Sequence, residues 1–451
     1  MPEVRVSVIG TGYVGLVTAV GLCEKGHHVT CVDTDAAKIA SVRRGVSPFY
    51  EPGLDELLRH NAGRLAATTE LRQAVRDTDM SLIAVGTPFA GGEIDLGAVR
   101  AAAGQVGAVL RDKPTYHVVV VKSTVVPGTT DQVVVPLLER ASGKRAGTDF
   151  GIAVNPEFLT EGEAVRDFLS PDRLVFGALD APSLAALEEL YAGFNGVERV
   201  RTNLRTAEMI KYTANCLLAT AISFSNEIAN LCAALGGGGI DVADVLRGVH
   251  LSKYLTTTGP DGQRSSPELA AFLWAGCGFG GSCLPKDLKA LVAYGERVGQ
   301  RMPLLRAVID VNERQPEQVL ELVRKRFPSL AGVRVAVLGL AFRPGTSDMR
   351  ESPAIPIVRR LLAEGAKVSA YDPAAQDEAR RIFPNGTIRL CDDLASAVAE
   401  TDVAILVTRW EEFRRLPDAL RATGREPPPL LIDARRMLEK TVYEPYEGIG
   451  L

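Results

Sequence analysis

Arg5-Val6-Ser7-Val8-Ile9-Gly10-Thr11-Gly12-Tyr13-Val14-Gly15 takes an apolar, β-rich run directly into the pattern G-x-G-x-x-G. Each glycine in that order has a task. The first makes the tight turn after a strand, the second lets the backbone approach a pyrophosphate, and the third lets the next helix pack on the strand. The helix N-terminus then meets the phosphates with its partial positive charge. Asp33 ends the next β-rich run, His28–Asp33, near the spacing at which an acid bonds the ribose hydroxyls. A carboxylate there repels a 2′-phosphate, so the reading is NAD rather than NADP. A glycine-rich turn with an unrelated surface Asp is the plain alternative, and the placing of the acid argues against it.

Working outward, further strands are expected at Ser81–Val85, Tyr116–Lys122 and Gly151–Asn155, with helices between them. That alternation implies a parallel sheet covered on both faces. From Thr206 to Leu235 there is neither Pro nor Gly. The stretch reads as one long helix, on the order of 45 Å, ended by Gly236–Gly239. A second strand-helix series begins near Gly332. Arg334–Gly339 resembles the opening strand, Lys367–Asp372 ends in an acid as His28–Asp33 does, and Thr401–Val407 echoes Thr78–Val85. The matching order favours a shared architecture over the general likeness of α/β domains. The expected fold is therefore α/β: two Rossmann-like, doubly wound parallel-sheet domains joined by a long central helix and a helical middle region. Its parts are residues 1–200 for NAD, 201–315 for dimerisation and catalysis, and 316–451 for the second ligand. Gly339-Leu340-Ala341-Phe342-Arg343 carries one glycine where the first series has three, so this domain is not expected to hold a dinucleotide in the same way. Arg343, Arg350 and Arg435 could serve anions there, although each alone reads as a surface charge.

With 46% hydrophobic and 24% charged residues, the 451-residue chain has the balance of a globular protein of two or three domains. A net charge of -4 argues against a nucleic-acid surface, while leaving local Arg and Lys free to bind a small anion. The seven cysteines include no C-x-x-C pair, and their number is odd. Reduced thiols are expected rather than a disulfide framework. None of the five histidines has metal-ligand spacing to another His or Cys, so no metal is expected. The chain enters its first strand at once, with no basic and then apolar leader, so no signal peptide is expected. No apolar stretch is read as approaching about 18 residues, hence no membrane span, and the expected location is cytoplasmic.

Gly278-Phe279-Gly280-Gly281-Ser282-Cys283-Leu284-Pro285-Lys286-Asp287 carries the second site. Its glycines let the chain pass close to a ligand. Pro285 suits the first turn of a helix, which puts Cys283 just outside a helix N-terminus. A thiolate there is stabilised by the dipole and the unpaired N–H groups, with Lys286 able to add to this and Asp287 close by. Cys283 is the candidate nucleophile. Cys277 lacks the helix start and reads as structural. Lys211 and Asn215 stand i,i+4 on the long helix and share a face. Either they meet a ligand or partners, or they form a solvated stripe.

Together these residues resemble the UDP-glucose/GDP-mannose dehydrogenase family over nearly the whole chain. The motifs follow in order: the glycine fingerprint, Tyr50–Leu54, Val85–Pro88, Lys122–Thr130, Asn155–Gly162, Glu208–Asn215, Gly280–Cys283, Phe342–Pro353 and Ile432–Arg435. The resemblance implies a four-electron oxidation of a sugar CH2OH to a carboxylate with two NAD+. The first hydride leaves C6, Cys283 captures the aldehyde as a thiohemiacetal, a second hydride leaves to give a thioester, and water releases the uronic acid. By motif position, Lys211 and Asn215 would stabilise the oxyanion, and Asp287 would orient Cys283 or a water. Glu157 would be the base in hydrolysis, with Thr124 holding the water. The cofactor set it implies is Gly10, Gly12, Tyr13, Val14, Gly15, Asp33, Lys38, Gly86, Thr87, Ser123, Thr124, Glu161 and Arg350. The nucleotide sugar would meet Glu157, Phe158, Leu159, Lys211, Asn215, Phe272, Gly278, Arg343 and Arg435. The long helix is similar to the family's dimer-forming helix, which implies a homodimer.

The chain also departs from the family's pattern. The Arg-Ile-Gly usual shortly before the cysteine loop is replaced by the longer Tyr254–Arg264 stretch, and the usual Phe-Lys is Phe342-Arg343. Both changes fall where the family contacts the nucleotide. UDP-glucose is the first expectation for the substrate and dTDP-glucose the second, with GDP-mannose or UDP-N-acetylmannosamine as alternatives. Two other readings stand beside an enzyme of this kind. A two-electron β-hydroxyacid dehydrogenase would need neither Cys283 nor the second nucleotide-binding domain. A non-catalytic nucleotide-sugar sensor would be expected to have lost Cys283, Lys211 or Glu157, and all three are present.

Overall fold

The structure, a computed structural model, describes residues 3–235, 239–259 and 261–451. The chain forms two compact units, Met1–Ala214 and Asn215–Leu451. The first holds an eight-stranded sheet: β1 (Arg5–Ile9), β2 (His28–Val32), β3 (Leu65–Thr68), β4 (Met80–Ile83), β5 (Val118–Val121), β6 (Gly151–Val154), β7 (Arg173–Ala178) and β8 (Glu198–Thr202). They lie in the order β8-β7-β6-β5-β4-β1-β2-β3. The run β3-β2-β1-β4-β5-β6 is the doubly wound dinucleotide-binding order. Every neighbouring pair is parallel except β6 with β7. Strands β4, β5 and β6 are buried throughout, as a sheet covered on both faces requires. In β5, Val118 and Val120 enter one core and Val119 and Val121 the other.

The five strands expected in this unit are present. Strands β3, β7 and β8 were not legible. Leu65–Thr68 is short and half alanine. Glu198–Thr202 is a largely exposed edge strand carrying three charges in five residues, a composition that protects an edge and hides the strand.

Three helices matter to the site: α1 (Tyr13–Glu24) and α2 (Ala164–Leu169) in this half, and the long α3 (Leu204–Leu235), which begins here and continues into the second unit. Helix α3 starts two residues before its expected Thr206, where Asn203 Oδ1 accepts from Thr206 N at 2.9 Å as the capping bond. Gly236–Gly238, expected to punctuate its end, lie outside the described residues. One expectation is corrected here. Helix α3 is long enough, and in its most apolar 18-residue window apolar enough, to cross a membrane, with a mean hydropathy of 1.3 in that window. Its polar side chains show why it is nonetheless a core helix. Glu208 accepts from Gly128 N and Thr130 N at 2.6 and 2.9 Å, and further along Asn226 accepts from Gly276 N at 2.8 Å. Each end thus packs within its own unit.

The second unit carries α4 (Leu284–Arg297), α5 (Pro303–Arg326) and a six-stranded parallel sheet. Its strands are β9 (Arg334–Leu338), β10 (Lys367–Tyr371), β11 (Arg389–Leu390), β12 (Val403–Leu406), β13 (Leu430–Asp433) and β14 (Tyr446–Gly448). The order β11-β10-β9-β12-β13-β14 repeats that of the first sheet's core. The expected pair of doubly wound sheets, linked through the long helix, is what the chain builds.

Candidate active site

The turn after β1 is shaped by the glycines quoted first. Gly10 sits at φ +102°, and its N–H donates to Val32 O at 2.7 Å. A Cβ on Gly10 would stand 2.6 Å from Ala84 O, and one on Gly15 would stand 1.9 Å from Gly10 O, so both positions exclude any side chain. Gly12, the N-cap of α1, differs: a Cβ there would meet no protein atom within 4 Å. Its lack of a side chain keeps open the cradle at the helix N-terminus where a pyrophosphate fits. Val14 lies in the first turn of α1. At the end of β2, Asp33 Oδ2 accepts from Thr11 N and Thr11 Oγ1 at 2.8 and 2.7 Å, and Oδ1 from Asp35 N at 3.0 Å. Partial burial opposes its charge, but these bonds and the nearby Lys38 hold it below the usual carboxylate range. Thr11 is a partner that the sequence reading missed.

Around this turn the strand ends are tied together by hydroxyls. Thr87 Oγ1 donates to Thr124 O at 2.8 Å, and Ser123 Oγ donates to Val85 O at 2.7 Å. Gly86 lies between them in sequence, and a Cβ there would meet nothing within 4 Å. A second missed residue is Glu51. It is buried, and it accepts from the Tyr13 hydroxyl, from Gly162 N at 2.8 Å and from Ala164 N at 2.8 Å. Buried Glu161 adjoins this junction in sequence.

At the ends of β5 and β6 the same unit buries a charged cluster. Glu157 Oε1 pairs with Lys211 Nζ at 3.0 Å, both side chains being about 5% exposed or less, and Glu157 Oε2 accepts from Leu159 N at 2.6 Å. Burial opposes the Glu157 charge, yet Lys211, the Leu159 amide and Lys122 outweigh it and keep the carboxyl low. Lys122 Nζ donates to Asn155 Oδ1 at 2.9 Å. Burial, with repulsion from Lys211, pushes Lys122 down to about 8 against the pull of Glu157. Phe158 stacks beneath Arg173, whose guanidinium is 3.8 Å from the ring centroid, with Lys211 Nζ at 5.5 Å. Lys122 and Asn155 stand in quoted motifs but had been given no task. A buried ammonium and amide just past strand ends is the signal that would have found them.

In the second unit the cysteine loop has the expected helix start. Cys283 is the N-cap of α4, and Pro285 lies in the first turn. Six cysteines are buried, and Cys283 is partly exposed. Asp287 is fully buried, with Oδ2 accepting from Asn215 Nδ2 at 2.6 Å and Oδ1 paired with Lys286. The charge of Lys286 is thus directed to Asp287. Asn215 and Lys211 are both buried, so they are not a solvated stripe. Gly278 sits at φ +101°, and its carbonyl accepts from Arg435 Nη1 at 2.7 Å. Arg435 Nε donates to Val407 O at 2.6 Å, so two of the nitrogens expected to meet a ligand clamp the cysteine loop to the sheet. Arg350 is exposed and forked onto Asp348, with its Nε and Nη2 both donating to Oδ2, at 2.8 and 2.5 Å. Arg343 and Phe272 are partly buried.

One open dinucleotide turn, on a chain with two sheets of this order, defines a dinucleotide-binding protein. Comparison with known proteins narrows the class. The profiles of the UDP-glucose/GDP-mannose dehydrogenase family match in sequence order: the NAD binding domain at residues 4–195, the central domain at 205–314 and the UDP binding domain at 336–440. A UDP-glucose 6-dehydrogenase of Haloferax volcanii is 44% identical, with 99% of this chain and 100% of that protein covered. A GDP-mannose 6-dehydrogenase of Pseudomonas syringae is 39% identical, with 91% and 92% covered. The solved UDP-glucose dehydrogenase of Pyrobaculum islandicum superposes with a TM-score of 0.90 at 37% identity, covering 100% of this chain and 98% of that one. The chain belongs to the UDP-glucose/GDP-mannose dehydrogenase family and is an NAD-dependent nucleotide-sugar 6-dehydrogenase.

Proposed function

We propose that the protein oxidises the C6 hydroxymethyl of UDP-glucose, or of dTDP-glucose, to the uronic acid through a thioester on Cys283. The observation that carries this reading is the Cys283 thiol, partly exposed at the N-terminus of α4 while the other six thiols are buried. The positive end of the helix dipole lies beside it. The balance per sugar is one CH2OH, one water and two NAD+ consumed, with one carboxylate, two NADH and three protons formed. Bound NAD+ supplies the hydride acceptor. The Cys283 thiolate adds to the C6 aldehyde, and the resulting adduct gives up the second hydride to leave a thioester. Lys211 supplies the positive charge that balances the oxyanion, and the Asn215 amide helps as a hydrogen-bond donor. Asp287, fixed by Asn215 and Lys286, orients Cys283 or a water. Glu157 is kept ionised by Lys211 and acts as base in hydrolysis, with Thr124 holding the water.

Relatives named for UDP-glucose at 44% and 41% identity favour that substrate, and GDP-mannose and UDP-N-acetylmannosamine are the competing ones. The cofactor and nucleotide-sugar residue sets implied by the family resemblance, and the division at residues 1–200, 201–315 and 316–451, belong to the same proposal. So does a cytoplasmic homodimer formed through α3. That helix exposes Leu217, Phe224 and Leu231, a seven-residue repeat suited to a helix seam. A single-protomer mass in sedimentation would remove the dimer.

The deciding experiment incubates the protein with NAD+ and each of UDP-glucose, dTDP-glucose, GDP-mannose and UDP-N-acetylmannosamine, and counts NADH per sugar consumed. Two NADH with one preferred nucleotide is expected. One NADH with a released aldehyde, or full turnover by Cys283→Ser, overturns the thioester route.

A further inference from the structure

Tyr50-Glu51-Pro52-Gly53-Leu54 is the one motif to which the reaction assigns no task. Its Glu51 lies in the first unit, and its carboxylate is nearly inaccessible to solvent. Both oxygens are occupied. Oε2 accepts from the hydroxyl of Tyr13, inside the glycine turn, and from Gly162 N at 2.8 Å. Oε1 accepts from Ala164 N at 2.8 Å and from Val165 N at 3.4 Å, the first amides of α2. The Tyr13 hydroxyl also accepts from Gly162 N at 2.9 Å, which closes a triangle of Tyr13, Glu51 and Gly162. The Tyr13 ring is held independently by Phe49, 5.2 Å between centroids. One carboxylate therefore fixes two segments: the dinucleotide turn, and the 157–165 segment that begins with Glu157 and contains Glu161.

We infer that Glu51 is a positioning residue of the cofactor site, setting the register between the dinucleotide turn and the 157–165 segment through its shared bond to Tyr13 and Gly162. A carboxylate is needed because every partner is a donor. A glutamine would turn its NH2 either toward the Ala164 and Val165 N–H groups, or toward the Gly162 N–H with the Tyr13 hydroxyl reversed to accept and its proton sent to Thr160 O at 3.3 Å. Either arrangement sets N–H against N–H and leaves a buried donor unpaired. The inference rests on the use of NAD and not on the thioester route.

The test titrates the full-length protein with NAD+ alone by calorimetry, for wild type, Glu51→Gln, Tyr13→Phe and the double variant. Each single change is expected to raise Kd by roughly tenfold, the loss of one hydrogen bond to a charged group. The double variant should be no weaker than the weaker single, because both remove the same link. Wild-type Kd in both single variants, even with a lowered Tm, would make Glu51 a stability residue and overturn the inference. Fully multiplicative effects would also overturn it, since the two residues would then act separately. If Glu51→Gln does not fold, Tyr13→Phe decides alone, and an unchanged Kd ends the proposal. Because no sugar is present, these outcomes stand whatever NADH count the oxidation gives.

Discussion

Gly10 follows β1 at φ +102°, and Gly339 follows β9 at φ +90°. Each donates its N–H to the residue that ends the neighbouring strand, Val32 O in one case and Tyr371 O in the other. Each neighbouring strand is then followed by an aspartate, Asp33 or Asp372. From there the two turns diverge. Asp33 is partly exposed and bonds Thr11 and Asp35. Asp372 is fully buried, accepting from Leu340 N, Ala341 N, Ala374 N, Ala375 N and Trp410 Nε1 at 2.7 to 3.1 Å. The second turn has spent its acid and its amides on itself. The cysteine loop then leans on the segment that follows. Gly281 N donates to Arg350 O at 2.9 Å, and a Cβ on Gly281 would stand 2.7 Å from the Phe342 ring. One turn of the repeated architecture leaves its helix N-terminus open, and the segment after the other supports the loop that carries Cys283.

The largest effect that could break this contrast is at Gly281. It sits at φ +89° against Phe342, so Gly281→Val must move the backbone two residues before Cys283. Misplacing a reacting group by about 1 Å costs on the order of 100-fold. Turnover should fall by at least that much in a steady-state assay, while the Kd for NAD+ stays at the wild-type value. Equal losses in both would mean that the cysteine loop and the dinucleotide turn are not separable.

Next in size is Asp372→Ala, which strands several buried donors. It should lower stability by on the order of 3 kcal/mol, read as a lower urea midpoint, with NAD+ affinity unchanged. The matching change in the first turn, Asp33→Ala, should do the reverse. It should cost about 1 kcal/mol of stability, because Asp33 is partly exposed and water can replace its carboxylate, and raise the Kd for NAD+ by roughly tenfold or more. If Asp33→Ala left that Kd alone, the acid would be doing in both turns only what Asp372 does.

How far the sequence reached follows the same contrast. The open turn was legible because its constraints are local: three glycines and one acid within 24 residues, each required by a strand-turn-helix that any reader can build. The start of α4 was legible too, because Pro285 marks a helix beginning and thereby sets Cys283 at its cap. The closed turn showed its strand and its acid, but not that the acid would be consumed, since Trp410 lies 38 residues beyond Asp372. Glu51 was opaque for the same reason. Its partners are 38 residues before it and 113 after it, and no spacing rule reaches that far. The Arg435 clamp was not legible because an Arg in a loop reads only as a charge for a ligand, whereas two of its nitrogens also hold carbonyls.

The smallest expected effect concerns pH, and it sets a buried cation past the end of β5 against a buried anion at the end of β13. Burial lowers Lys122 to about 8, against about 10.4 for an unperturbed lysine. Between those values the unfolded chain binds the proton that the folded chain has shed. The Lys122 contribution is therefore complete above the unfolded value and is lost as pH falls through about 8. Asp433, fully buried and accepting from Arg435 N and Leu438 N at 3.0 and 2.7 Å, is pushed above its ordinary value by that burial. Its sign is opposite: its contribution is present below the ordinary carboxylate value and is lost as pH rises through the raised one. Urea midpoints of Lys122→Met and wild type, taken at pH 7.5 and pH 9.5, isolate the first group, because the other titrating groups are common to both proteins. Wild type should gain on the order of 1 kcal/mol relative to Lys122→Met across it. Parallel midpoints would mean that Lys122 stays charged throughout, with Asn155 and Glu157 compensating its burial in full. The first sheet would then carry a permanent buried cation where the second carries a titrating acid.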